Sequence, residues 1–113
     1  MIIINKVMSL DELRVAAAAT FGNLIKAVVD VDGGIIAIDA ELHSDLEALL
    51  LEGGSKQESL WGINLYPDIQ GDDFIEFDSM INIRPSSGNR TRGVDNELVR
   101  KMIIDIVNKW VKR

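Results

Sequence analysis

The 113-residue sequence predicts an α+β fold, a mostly antiparallel sheet built from hairpins and flanked by N- and C-terminal helices. A capping-box motif, Ser9-Leu10-Asp11-Glu12, marks a helix near the start, with Ser9 as cap and Glu12 reaching back. Two Val/Ile-rich runs flank Asp32-Gly33-Gly34, a turn that supplies the positive-φ positions of a hairpin. At the other end Val99, Ile103, Ile106, Val107 and Trp110 form an apolar stripe at helical spacing.

In order along the chain, Ile2, Ile3 and Ile4 suit a short strand or an apolar lead-in. The first helix is expected over residues 10–20 or 10–21, with Leu10, Leu13, Ala17 and Phe21 inward and Gly22 near its end. Residues 24–31 and 35–40 are the hairpin strands, with Lys26 and Asp30 opposite the face of Ile25, Ala27, Val29 and Val31. Residues 44–52 fit two patterns. Ser44 and Glu47 make a second capping-box match before Gly53, which favours a helix, whereas Leu42, Leu46, Ala48 and Leu50 also alternate as in a strand that would pair with residues 60–66. The choice stays open, with the balance slightly toward the strand.

Residues 60–66 alternate, Trp61, Ile63 and Leu65 inward and Asn64 and Tyr66 outward, and a loop follows from Pro67. Residues 74–84 are expected to form a core strand, with Ile75, Phe77, Ile81 and Ile83 on one face and Glu76, Asp78, Asn82 and Arg84 on the other. Pro85 ends it for want of an N–H. Asp95 is the expected cap of the last helix, whose outer face carries Glu97, Lys101, Asp105 and Lys109 as i,i+4 pairs.

The length fits one domain over residues 1–113, and 47% hydrophobic content is that of an ordinary globular chain. Without cysteine there is no disulfide, thiolate metal site or cysteine nucleophile. The initial apolar run is too short for a signal peptide and no segment approaches a membrane span, so the chain reads as soluble, with no membrane partner and with the cytoplasm as its simplest home. A net charge of -6 argues against general nucleic-acid binding. The sign reverses locally: residues 84–93 hold three arginines and no acid.

Three stretches are similar to the core motifs of a family of small uncharacterised prokaryotic proteins, a domain of unknown function. They are residues 43–57, His-Ser-Asp-Leu-Glu-Ala-Leu-Leu-Leu-Glu-Gly-Gly-Ser-Lys-Gln; residues 60–67, Leu-Trp-Gly-Ile-Asn-Leu-Tyr-Pro; and residues 77–85, Phe-Asp-Ser-Met-Ile-Asn-Ile-Arg-Pro, with Gly88, Asn89 and Arg90. The resemblance spans nearly the whole chain and implies no activity, ligand or catalytic residue.

The residues themselves suggest chemistry. In the 84–93 loop Arg84, Arg90 and Arg92 suit bidentate contacts to phosphate or carboxylate, Ser86, Ser87, Asn89 and Thr91 supply short donors, and Gly88 and Gly93 let backbone N–H groups converge. Asp78, Asn82 and Arg84 share a strand face that Asn64 and Tyr66 join in suitable register. The first functional expectation is therefore a binding module for a small anionic ligand or a partner's acidic group. The second is a metal-assisted, hydrolase-like enzyme using Asp78 with His43, Asp45 and Glu47, which line up only if that segment is a strand. The third is a structural homo-oligomer in which the arginines meet acids of a second copy. The competing structural role for the loop is that its arginines pair with the domain's own surplus acids and pin it. No motif names a cofactor: Gly53-Gly54-Ser55-Lys56 lacks the Walker spacing and reads as a turn.

Overall fold

The computed structural model describes residues 1–113. The elements run β1 (Ile2–Ile3), β2 (Met8–Ser9), α1 (Leu10–Ala18), β3 (Ile25–Asp30), β4 (Ile35–Ile38), α2 (His43–Glu52), β5 (Leu60–Leu65), β6 (Ile75–Glu76), α3 (Glu97–Trp110) and β7 (Val111–Lys112). Strands β1-β4-β3-β5-β6 form one sheet, antiparallel at every pairing. Strands β2 and β7 pair in parallel beside it. The result is the expected α+β architecture with helices toward both ends of the chain. No helix is long and apolar enough to cross a membrane.

Local chemistry sets the first elements. Ser9 accepts from the Glu12 amide while Glu12 accepts from the Ser9 amide, closing the capping box. In the hairpin Asp30 Oδ1 accepts from the amides of Asp32 and Gly33, and Gly34 takes a φ of 66°, which glycine adopts without a Cβ penalty. Trp110 Nε1 donates to the Gly34 carbonyl at 2.9 Å, which ties the end of α3 to this turn.

Helices α1 and α3 cover one sheet face. Leu13, Ala17, Ile103 and Val107 meet Ala27, Val29, Ile36, Ile38, Ile63 and Leu65 there. The other face is not left open, as a sheet covered on one side would be. Leu46 and Leu50 of α2 pack on Val28, Ala37 and Leu60 in a second, smaller cluster. That packing makes residues 43–52 a helix: i and i+4 leucines both reach the sheet, and each buried leucine is worth roughly 1.5–3 kcal/mol. The helix starts without the Ser44 cap, for Leu42 occupies the N-cap position and makes no side-chain capping bond.

The expected strand over residues 74–84 is cut to Ile75–Glu76, paired with Leu65 and Asn64. The chain then leaves the sheet edge and turns through a 3-10 segment at Met80–Asn82, begun by Ser79, whose hydroxyl accepts from the Ile81 amide. Gly62 permits the turn, since a Cβ there would lie 2.5 Å from Ser79 Cβ. The faces predicted by alternation are consequently scrambled: Asn82 is fully buried while Ile83 is exposed. At α3, Asn96 rather than Asp95 is the cap, accepting from the Leu98 and Val99 amides.

Candidate functional site

The 84–93 loop folds around two asparagines. Asn89 donates through Nδ2 to the carbonyls of Asn82, Thr91 and Gly93 and accepts the Asp95 amide on Oδ1. Its backbone exchanges two hydrogen bonds with Arg84, closing a short loop whose tip, Gly88, has a φ of 85°. Asp95, freed from capping α3, accepts instead from the Thr91 hydroxyl and the Arg90 amide. Asn82 donates to the carbonyls of Gly62 and Arg92 and accepts the Gly62 amide. Both asparagines therefore use their polar groups inside the fold.

The three arginines part company. Arg84 turns inward, donates to the carbonyls of Gln57, Leu60 and Ile81, and lies 4.3 Å above the Trp61 ring. Burial draws its pKa below the ordinary guanidinium value, against the pull of Glu47 and Glu58. It serves as a clamp between the loop and β5, the pinning role that competes with anion binding. Arg90 is exposed and makes no ion pair, and Ser86 and Ser87 of the same loop are exposed as well. Arg92 pairs with Asp78 through Nε at 2.6 Å, and that is the guanidinium's one hydrogen bond within the chain.

Asp78 and Arg92 form one wall of a cavity of ≈ 170 Å³ that Lys26, His43, Ser44 and Asn64 also line. It lies where α2 begins, over the part of the sheet face that α2 leaves uncovered. Register explains the grouping, since Lys26 of β3 stands beside Asn64 of β5, which stands beside Glu76 of β6. Glu76 accepts from both Asn64 Nδ2 at 2.8 Å and the Tyr66 hydroxyl at 3.0 Å, so these side chains are held in place. Burial, reinforced by Glu76, raises the Tyr66 pKa and keeps the phenol protonated. Asn64 Nδ2 also reaches the Asp78 carbonyl at 3.4 Å. With Nδ2 so engaged, Asn64 Oδ1 is buried with no protein donor, on a residue only 7% exposed.

His43 packs against Gly62 and Ile63. Its Nε2 lies 2.8 Å from the Ile63 carbonyl, which can only accept, so Nε2 carries the proton and Nδ1 is bare in the neutral ring. Burial lowers the His43 pKa, outweighing the opposing effect of the Ile63 carbonyl. Asn64 lies close enough to the ring to favour its charged form, but in the neutral ring Nδ1 has no proton to give, so Asn64 Oδ1 stays without a donor. Helical winding puts Asp45 on the exposed side of α2, so the strand-based grouping of His43, Asp45 and Glu47 does not form, and no three His, Asp or Glu side chains gather as metal ligands.

The α2 N-terminus adds a further property. The amides of His43 and Ser44 have no hydrogen-bond acceptor in the chain, and no side chain caps them. Such amides carry partial positive charge, increased by the helix dipole. Lys26 makes no ion pair, its Nζ lying 5.1 Å from the Phe21 ring centre, and Arg92 has both Nη groups unbonded, so two cations and one carboxylate, Asp78, stand among these six residues.

A larger trough of ≈ 870 Å³ lies between residues 71–77 and α3. There the guanidinium carbons of Arg100 and Arg113 lie over the Phe77 and Phe74 rings, each 4.4 Å from the ring centre. Four carboxylates, of Asp72, Asp73, Asp95 and Glu97, face its three cations. The mixed charge and the absence of an orphaned buried polar atom make it the weaker candidate.

Residues 2–110 match a family model described as a protein of unknown function, DUF5674. The chain belongs to that family. No curated protein and no solved structure matches it. Membership in DUF5674 covers nearly the whole domain, α2 and both walls of the cavity included, and carries no activity with it.

Of the residues singled out from sequence, Asn64, Asp78 and Arg92 meet at the cavity, joined by His43 without Asp45 or Glu47, and Tyr66 braces it through Glu76. Asn82, Arg84 and Asn89 are internal, and Ser86, Ser87 and Arg90 lie at the loop surface. Lys26 and Ser44 were not among the expected site residues. Lys26 is legible only as an outward lysine in β3; strand register makes it Asn64's neighbour.

Proposed function

We propose that this domain is a binding module for a small anionic group, held at the start of α2 between Lys26 and Arg92. The observation that carries the reading is the pair of unbonded amides of His43 and Ser44 beside these two cations. A helix N-terminus with converging cations is a general solution for phosphate and carboxylate. Asp78 fixes the Arg92 side chain through Nε, which leaves the two Nη groups to face a ligand. The cavity is smaller than the roughly 300–1,000 Å³ of sites that enclose drug-sized molecules, so it suits an oxyanion or the charged head of a larger compound. The arginine loop contributes through Arg92, while Arg84 holds the loop in place.

Thermal unfolding with inorganic phosphate tests the reading. A ligand at a hundredfold its Kd adds about 2.7 kcal/mol of stability. The parent and Arg90→Ala are expected to gain, and Lys26→Ala and Arg92→Ala to lose most of the gain. If Arg90→Ala abolishes it and the other two do not, the anion sits on the loop tip. If phosphate leaves the parent unmoved, the anion-binding reading fails.

A further inference from the structure

The cavity offers more than positive charge. Behind the cationic rim stand three acceptors: Asn64 Oδ1, which no protein group satisfies; the Asp78 carboxylate, with one oxygen on Arg92; and the bare Nδ1 of His43. Glu76 and the Asp78 carbonyl hold the Asn64 amide by its NH₂ group, so rotating the amide would set Oδ1 against a carboxylate and a carbonyl, lone pair to lone pair. An anion with lone pairs on every oxygen meets the rim well. Where its oxygens approach Asn64 and Asp78, however, lone pair faces lone pair.

Resting on the anion-binding reading, we infer that this pocket selects an anion that also carries a hydrogen-bond donor: a hydrogen phosphate, or a carboxylate with a neighbouring hydroxyl or amine. The anionic end sits on the His43 and Ser44 amides, Lys26 and Arg92. The donor turns inward to Asn64 Oδ1 or to Asp78. A buried acceptor that stays unpaired on binding is costly, and that cost is the source of discrimination. His43 holds Asn64's surroundings in place through the Ile63 carbonyl, and its Nδ1 is a further acceptor for the same proton.

Inorganic phosphate and sulfate make the comparison cleanly. In mildly alkaline buffer they are tetrahedral dianions of nearly equal size, and phosphate alone bears a proton. Calorimetric titration of the intact chain is expected to show phosphate binding about tenfold or more tighter than sulfate. In Asn64→Leu, which removes the acceptor and keeps the bulk, the two affinities are expected to converge. Equal affinities in the parent overturn the donor requirement while leaving the anion site standing. Absence of binding by both ions overturns the site and the requirement together. Should Asn64→Leu fail to fold, the parent comparison decides by itself, and glycolate against acetate, which differ by a hydroxyl, repeats the test with carboxylates. Glycolate must bind the more tightly.

Discussion

Asn82 holds Gly62 by both ends of its backbone, accepting its amide at 2.8 Å and donating to its carbonyl at 2.9 Å. A side-chain carboxamide thus does for β5 what the next residues of an edge strand would have done. β6 stops after pairing Glu76 with Asn64, and two residues along β5 the asparagine takes over. The chain is free to cross the sheet face, and crossing brings Asp78 and Arg92 to the cavity.

Asn82→Ala is expected to cost about 2–4 kcal/mol, because it orphans two buried backbone groups of Gly62 at roughly 1–3 kcal/mol each. Asn82→Asp should be about as damaging, since a carboxylate cannot donate to the Gly62 carbonyl. Urea unfolding reads both. A loss below about 0.5 kcal/mol would show that water replaces the carboxamide.

Arg84 and Arg90 are expected to separate sharply. Arg84→Ala removes donors from three carbonyls and a cation stacked on Trp61, a loss of about 2–3 kcal/mol. Arg90→Ala touches no such contact and should stay within about 0.5 kcal/mol of the parent. Arg84→Lys should recover little, for one ammonium cannot reproduce the planar fork. Denaturant midpoints of the three variants check the ranking.

Gly62→Ala is expected to destabilise by about 1–3 kcal/mol through overpacking, since the new Cβ meets Ser79 at 2.5 Å and the His43 ring at 3.2 Å. Both neighbours border the cavity, so any phosphate-induced gain in thermal stability should shrink as well. An unchanged melting temperature would mean that the 77–82 segment is not seated on β5.

His43 gives a pH dependence of definite sign. Burial lowers its folded pKa below the ordinary histidine value of about 6.5, so beneath that pH the unfolded chain takes up a proton that the folded chain does not. Its contribution is fully present above about 6.5 and falls as pH drops toward the folded pKa, by at most ~1.4 kcal/mol per pH unit for one proton. The stability advantage of the parent over His43→Gln should narrow across that window in matched denaturant series. An advantage that widens on acidification would contradict the buried, neutral imidazole.

The elements legible in the sequence are those with local signals. Asp32-Gly33-Gly34 specifies its hairpin, Ser9 and Glu12 their cap, and Val99, Ile103 and Val107 their helix, whatever the rest of the chain does. α2 is ambiguous by itself because its leucines satisfy two periods. Val28, Ala37 and Leu60, distant in sequence, choose the helix by receiving Leu46 and Leu50. The 74–84 run misleads for a similar reason: its alternation is real, but the missing Cβ of Gly62 and the carboxamide of Asn82 take it off the sheet. At the cavity His43, Asn64, Asp78 and Arg92 stand out by residue type. Lys26 and the uncapped start of α2 become visible only through strand register and helix phase.

Backbone amide NMR during a phosphate titration locates the bound anion residue by residue. Shifts are expected to concentrate at His43, Ser44, Lys26, Asn64 and Arg92 and to saturate together with one Kd. Shifts gathered instead at Arg100 and Arg113, or confined to residues 86–90, would contradict that placement and move the site to the larger trough or to the loop tip.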